Sequence, residues 1–202
     1  MTANLKIKRT ALSLSFFGES SVGKTCIIGV FLGLEFCENH MSTIGIEKSS
    51  SIIEIEEGKK IKLKLWDTAG QERFDSISNN SIRSSQGAVV VFDLTNRVSF
   101  EKVIKWLHNI REFSKKIPIA LFGNKSDLKD KRKITQEEID ELCKNEKLIY
   151  FETSAKENIN IKEGIKEITI LAYKCFENED IKKGETLKKE EHRKNNIKKK
   201  KC

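Results

Sequence analysis

The sequence predicts an α/β domain with a mostly parallel, six-stranded sheet and helices on both faces. Three observations carry that expectation. Short apolar stretches alternate with amphipathic ones along the chain. Two of the stretches, Ala88–Asp93 and Ile117–Phe122, are apolar almost throughout, as strands buried on both faces must be. A third region, Ser49–Trp66, alternates apolar and polar residues on either side of a glycine, the pattern of a hairpin with one wet face.

Taken in order, Lys8–Phe17 is rich in β-branched and apolar residues and stops at Gly18, which gives a first strand. A helix is expected over Thr25–Leu34. Strands over Ser49–Glu56 and Lys60–Trp66 flank the turn Glu57-Gly58-Lys59. Ala88–Asp93 and Ile117–Phe122 are the two buried strands, and Leu148–Phe151 is the last. Helical patterns fill the gaps at Ser99–Phe113, Gln136–Asn145 and Ile161–Phe176. After Phe176 the apolar periodicity ends. Residues 1–177 are therefore read as one domain, and 178–202 as a disordered, basic C-terminal tail. There are no internal repeats.

The composition suits a globular domain: 202 residues, 38% hydrophobic and 34% charged. No apolar run approaches the length of a membrane span. The stretch Met1–Thr10 is polar and basic, so no secretory signal is expected. The cysteines, Cys26, Cys37, Cys143, Cys175 and Cys202, are odd in number and widely spaced without a Cys-x-x-Cys pair. That argues against a disulfide framework or a zinc site, and for reduced cytoplasmic thiols. The net charge of +8 is concentrated in the tail, where Ile181–Cys202 holds ten Lys/Arg against three Glu. A basic body suggests nucleic acid; a basic tail on a nearly neutral body suggests an anionic membrane surface instead.

Gly18-Glu19-Ser20-Ser21-Val22-Gly23-Lys24-Thr25 stands between a strand and a helix and matches the P-loop pattern. Its glycines let the backbone wrap a polyphosphate without Cβ clashes, with successive N–H groups turned inward at a helix N-terminus. Lys24 is expected to reach the β- and γ-phosphates, and the Thr25 hydroxyl to bind Mg²⁺. A Gly-rich turn with no ligand is the bland reading of the same residues. Alone, the motif says only that a phosphate is bound, as kinases and ATPases also do.

Asp67 ends the predicted third strand, where a carboxylate can hold Mg²⁺ through its water shell. Gly70 can bring its backbone N–H close to the γ-phosphate, and Gln71 is placed to orient the attacking water. Read as a bare tetrapeptide, Asp67-Thr68-Ala69-Gly70 is equally a strand-to-helix turn. After the strand Ile117–Phe122 comes Gly123-Asn124-Lys125-Ser126-Asp127. Here Asp127 can accept both the ring N1–H and the exocyclic amine of guanine, which adenine does not offer in that arrangement. Asn124 can bond the purine edge and tie loops together, and the Lys125 stem can lie over the ring. Each short motif is weak by itself. In order, at strand ends behind a P-loop, they point to a guanine nucleotide at the carboxyl edge of one sheet.

Over residues 8–176 these motifs resemble the Ras superfamily of small GTPases, and most strongly its Rab branch. Trp66-Asp67-Thr68-Ala69-Gly70-Gln71-Glu72-Arg73-Phe74, Ser20 in the P-loop, and Glu152-Thr153-Ser154-Ala155-Lys156 are all similar to Rab sequences. The resemblance implies a small G domain that binds GTP and GDP with Mg²⁺, hydrolyses GTP, and switches conformation between the two. It implies that Thr43 completes the Mg²⁺ shell only when a γ-phosphate is present, and that Phe36 packs its edge on guanine. A core role for Phe36 fits nearly as well. The nucleotide contacts would run through Gly18, Ser20, Ser21, Val22, Gly23, Lys24, Thr25 and Cys26, and end at Ser154, Ala155 and Lys156, with the Ala155 N–H toward the base O6.

The resemblance further implies an exchange factor, an activating protein and effectors as partners of a monomer, and a role in vesicle trafficking. It implies a place on the cytosolic face of an intracellular membrane, with Cys202 prenylated. The Cys202 signal is incomplete, since a single cysteine stands where the family often has two, and no C-a-a-X box is present. The partner surface also departs: the aromatic triad of Rab proteins falls on Lys48, Trp66 and Ser81, and only Trp66 is aromatic. Other readings are a P-loop kinase, which Asn124-Lys125-x-Asp127 opposes, a scaffold that does not cycle, and another Ras-superfamily branch with different effectors. An RNA-binding tail ranks below membrane attraction, because few aromatics interleave its lysines.

Overall fold

The computed structural model describes residues 11–37, 46–68 and 82–177. In chain order the elements are β1 (Ala11–Phe17), α1 (Lys24–Phe31), β2 (Ile46–Glu56), β3 (Lys59–Thr68) and β4 (Gly87–Asp93). Then follow α2 (Arg97–Glu101), α3 (Val103–Phe113), β5 (Ile119–Asn124), α4 (Gln136–Glu146), β6 (Ile149–Glu152) and α5, helical through 161–177. The six strands form one sheet in the order β2-β3-β1-β4-β5-β6. Only β2 is antiparallel to its neighbour, because a hairpin turn joins it to β3. The other pairings are parallel and need crossover connections.

The buried strands divide their side chains between two cores, one on each face. Leu12, Leu14 and Phe16 of β1, Val89 and Val91 of β4, and Phe122 of β5 pack beneath α1 and α5. Phe17, Val90, Phe92 and Leu121 take the opposite face, against Val103, Leu107 and Ile110 of α3 and Ile139 of α4. That division is why β4 and β5 carry no polar alternation: both faces are covered by helices. In β2 and β3 the buried apolar residues are Ile53, Ile55, Ile61, Leu63 and Leu65, and the residues between them face water; Asp67 and Thr68, at the end of β3, are buried as well. The alternation in Ser49–Trp66 is this one-sided burial.

Several boundaries differ from the sequence reading, each for a local reason. The hairpin strands are longer, and Lys59 pairs with Glu56 inside β3, so the turn is Glu57-Gly58 with Gly58 at φ 74°. Helix α1 ends at Phe31 and not Leu34, since Gly33 takes a left-handed φ of 86°. The pattern read as one helix over Ser99–Phe113 is two, interrupted at Lys102. The first starts at Arg97, where the Asn96 side chain accepts from the Val98 and Ser99 N–H groups. Strand β5 begins two residues late because Pro118 has no N–H to give, although its carbonyl accepts from Ala88 N at 3.1 Å. Helix α4 opens with a capping box, Thr135 and Glu138 exchanging bonds reciprocally. Residues Lys8–Thr10 of the expected first strand lie outside the described residues, as do 178–202.

Candidate nucleotide site

Parallel strands place their carboxyl ends side by side, and four of those ends carry the motifs. Register fixes the alignment: Phe16 is level with Asp67, Phe17 with Val90, Val91 with Phe122, and Gly123 with Glu152. The loop after β1, the end of β3, the loop after β5 and the loop after β6 therefore meet at one edge.

The phosphate loop turns tightly enough to exclude side chains at two points. A Cβ on Gly18, at φ 135°, falls 2.1 Å from the Val91 carbonyl oxygen. One on Gly23, at φ 99°, falls 2.3 Å from Asn124 Nδ2. Ser21 also adopts a left-handed φ of 63°, so the loop holds a conformation that its own residues do not favour. Lys24 opens α1 and is buried. Its ammonium donates to the Gly18 and Glu19 carbonyls, both at 2.8 Å. Burial pulls its pKa down to about 8, against the opposing pull of the Asp67 and Glu19 carboxylates. A buried ammonium resting on neutral carbonyls is poised for an anion of greater charge.

Thr25 follows on the same helical turn, and its hydroxyl donates to Asp67 Oδ2 at 2.5 Å. Two hard oxygens from different elements, one of them a carboxylate, make a donor set suited to Mg²⁺ and unsuited to a soft metal. The residues present fit the ion. Mg²⁺ held by Thr25 and Asp67 would supply charge neutralisation to a bound polyphosphate.

The loop after β5 is welded to the phosphate loop. Asn124 is buried, and its Nδ2 donates to the Val22 carbonyl at 2.9 Å across 102 residues of sequence. Its Oδ1 accepts from the Ala155 N–H at 3.2 Å. So the Ala155 N–H, expected to aim at a base oxygen, is engaged by Asn124 in this structure. Asp127 Oδ1 accepts from the Ser154 hydroxyl at 2.6 Å, which sets the plane of its carboxylate. Lys125 sits at φ 67° and its ammonium reaches Asp93 Oδ2 at 2.7 Å. Ser20 and Lys156 are exposed; Val22 and Ser154 are buried; Asp127 is intermediate. Phe36 is half-buried and packs against the core beneath α1, which is the core role weighed for it. Cys26 is also partly buried beside that core, and burial raises its thiol pKa. Thr43, Gly70, Gln71, Ser81 and Cys202 lie outside the described residues.

Two supporting residues escaped the sequence reading. Asp93 ends β4 and holds Lys125 while also accepting from Thr95 N and Oγ1. Its signal was a lone carboxylate closing an apolar run. Glu19 pairs with Lys102 at 2.9 Å and ties the phosphate loop to the break between α2 and α3. No sequence pattern joins residues so far apart.

The family model described as Ras family matches residues 13–174. The chain belongs to the Ras family. It is 43% identical over 150 residues to Ras-related protein Rab-10 of Diplobatis ommata, covering 74% of each chain. It is 41% identical over 156 residues to Ras-related protein Rab-13 of Rattus norvegicus, covering 77% of this chain and 76% of that one. With human Ras-related protein Rab-39A the identity is 43% over 181 residues, 85% of this chain and 80% of the other. This Ras-family chain is Rab-like: a small GTPase that binds GTP and GDP with Mg²⁺ and hydrolyses GTP. Guanine nucleotide, exchange factors, activating proteins and effectors are its partners by family.

Proposed function

We propose that the chain is a slow GTP-hydrolysing switch that regulates vesicle traffic from the cytosolic face of an intracellular membrane. The observation that carries the nucleotide assignment is the Asn124–Val22 contact, which sets the guanine-reading loop against the phosphate loop. One ligand with a purine at one end and a polyphosphate at the other fits both.

In this reading Lys24 and the loop N–H groups of Gly18–Thr25 hold the phosphates and take up charge as the γ-phosphate leaves. Thr25, Asp67 and Thr43 hold Mg²⁺. Gln71 orients the water for in-line attack, and the Gly70 N–H senses the γ-phosphate. Asp127 reads the two guanine donors, Lys125 covers the ring, and Asn124, Ser154, Ala155 and Lys156 shape the base pocket. Loss of the γ-phosphate frees Thr43 and Gly70 together, which is the switch.

The domain, residues 1–177, acts as a monomer. The tail, residues 178–202, joins it to the membrane through its lysines and a prenyl group on Cys202. One prenyl chain is a marginal anchor, and Lys198–Lys201 supply the second signal.

Base selection tests the assignment. Wild type should bind GTP and not ATP in competition, and Asp127→Asn should shift preference toward xanthine nucleotides, because the 2-position then needs an acceptor. Equal binding of ATP by wild type would sink the guanine reading. Cell fractionation of Cys202→Ser tests the membrane part: the variant should turn soluble with nucleotide binding intact.

A further inference from the structure

The hairpin's outward face carries a lysine stripe that the nucleotide site does not use. Lys60, Lys62 and Lys64 of β3 alternate with buried Ile61, Leu63 and Leu65, so all three point to water. On β2 their cross-strand neighbours are Glu54, Ile52 and Ser50. Among the described residues, Lys60 alone of the three pairs with a carboxylate, Glu54 at 3.9 Å. Lys62 and Lys64 are exposed and have no ion-pair partner among the described residues. Ile52, level with Lys62, is 72% exposed, the most exposed large apolar residue described. Cationic side chains on flexible stems around a projecting aliphatic group form a surface for a fluid anionic partner.

The place of the stripe says which partner. Lys59 opens β3, and its ammonium lies 3.9 Å from the Tyr173 ring and 3.9 Å from Glu177. The last described turn of α5 thus packs against the start of the strand that carries the stripe. The basic segment Ile181–Cys202 follows within a few residues of that contact. Glu177, the last described residue of α5, thus lies at the end of β3 where the stripe begins, with Lys59 on the core face of the strand and the stripe on the other.

We propose that Lys60, Lys62, Lys64 and Ile52 form a membrane-contacting surface for anionic phospholipid, which lays the hairpin against the leaflet beside the root of the tail. The contact is electrostatic, with Ile52 entering the headgroup layer. It adds to the tail-borne association proposed above, and it is tested separately from it.

The test is co-sedimentation of the full, unlipidated, GDP-loaded chain with phosphatidylcholine vesicles containing about 30% phosphatidylserine, at about 0.1 M salt. Each lysine near such a surface strengthens partition about fivefold. Lys62→Glu with Lys64→Glu should therefore weaken binding at least tenfold while guanine nucleotide binding stays unchanged. The milder pair Lys62→Gln with Lys64→Gln should show a smaller loss and guards against misfolding of the charge reversal. A chain with Lys198–Lys201 changed to Gln should still lose binding when either pair is added. Vesicle binding by both pairs equal to wild type would overturn the proposal and leave the stripe to an acidic protein partner. So would a wild type that ignores the anionic vesicles.

Discussion

Asn124 donates to the carbonyl of Val22 at 2.9 Å, joining two loops that lie 102 residues apart in sequence. The same side chain accepts from the Ala155 N–H at 3.2 Å, so three loops meet on one buried amide. In the proposed nucleotide site this amide ties the separate strand ends together. Asn124→Ala leaves the Ala155 N–H and the Val22 carbonyl without their partner. Each buried polar group so stranded costs about 1–3 kcal/mol. The variant should release GDP at least tenfold faster, read by displacement of a fluorescent analogue, and should melt at a lower temperature. An unchanged release rate would remove Asn124 from that role.

Gly23 has no room for a methyl group. Its Cβ would sit 2.3 Å from Asn124 Nδ2, on a backbone at φ 99°. Gly23→Ala should lose measurable GTP binding and destabilise the fold by about 1–3 kcal/mol. Gly58→Ala is the control: it shares a positive φ, 74°, but meets nothing within 4 Å. Its nucleotide affinity should match wild type. Isothermal titration of both variants checks the contrast.

Glu19 and Lys102 pair at 2.9 Å, and the Glu19 carbonyl also accepts from Lys24 at 2.8 Å. Lys102→Ala should raise the dissociation constant for GDP several-fold through a looser phosphate loop, with little change in hydrolysis of bound GTP. A lower hydrolysis rate at unchanged affinity would place Lys102 in the chemistry instead.

The proposed switch runs through Thr43 and Gly70. Hydrogen exchange across 36–48 and 70–83 should rise on going from the GTP state to the GDP state. Equal protection in the two states would contradict a switch at these segments.

Much of this was legible because short-range physics wrote it. The continuous apolar runs in β4 and β5 follow from burial on both faces, and the alternation in β2 and β3 from burial on one. Gly18 and Gly23 were readable because their positive φ and tight contacts admit little else. The long-range contacts were not. Nothing near Asp93 announces Lys125, and nothing near Glu19 announces Lys102. The break at Lys102 was hidden because the helical period continues through it. The engagement of the Ala155 N–H by Asn124 depends on how two loops close, which no single segment encodes.

Gln71 and hydrolysis bear on the central claim most directly. Single-turnover hydrolysis of GTP by the wild-type chain with Mg²⁺ should run on the order of 10⁻⁴–10⁻² s⁻¹, as expected where no arginine is supplied in cis. Gln71→Leu should fall at least tenfold below that and still hold GTP. Hydrolysis at the wild-type rate in Gln71→Leu, or none at all in wild type, would contradict the account.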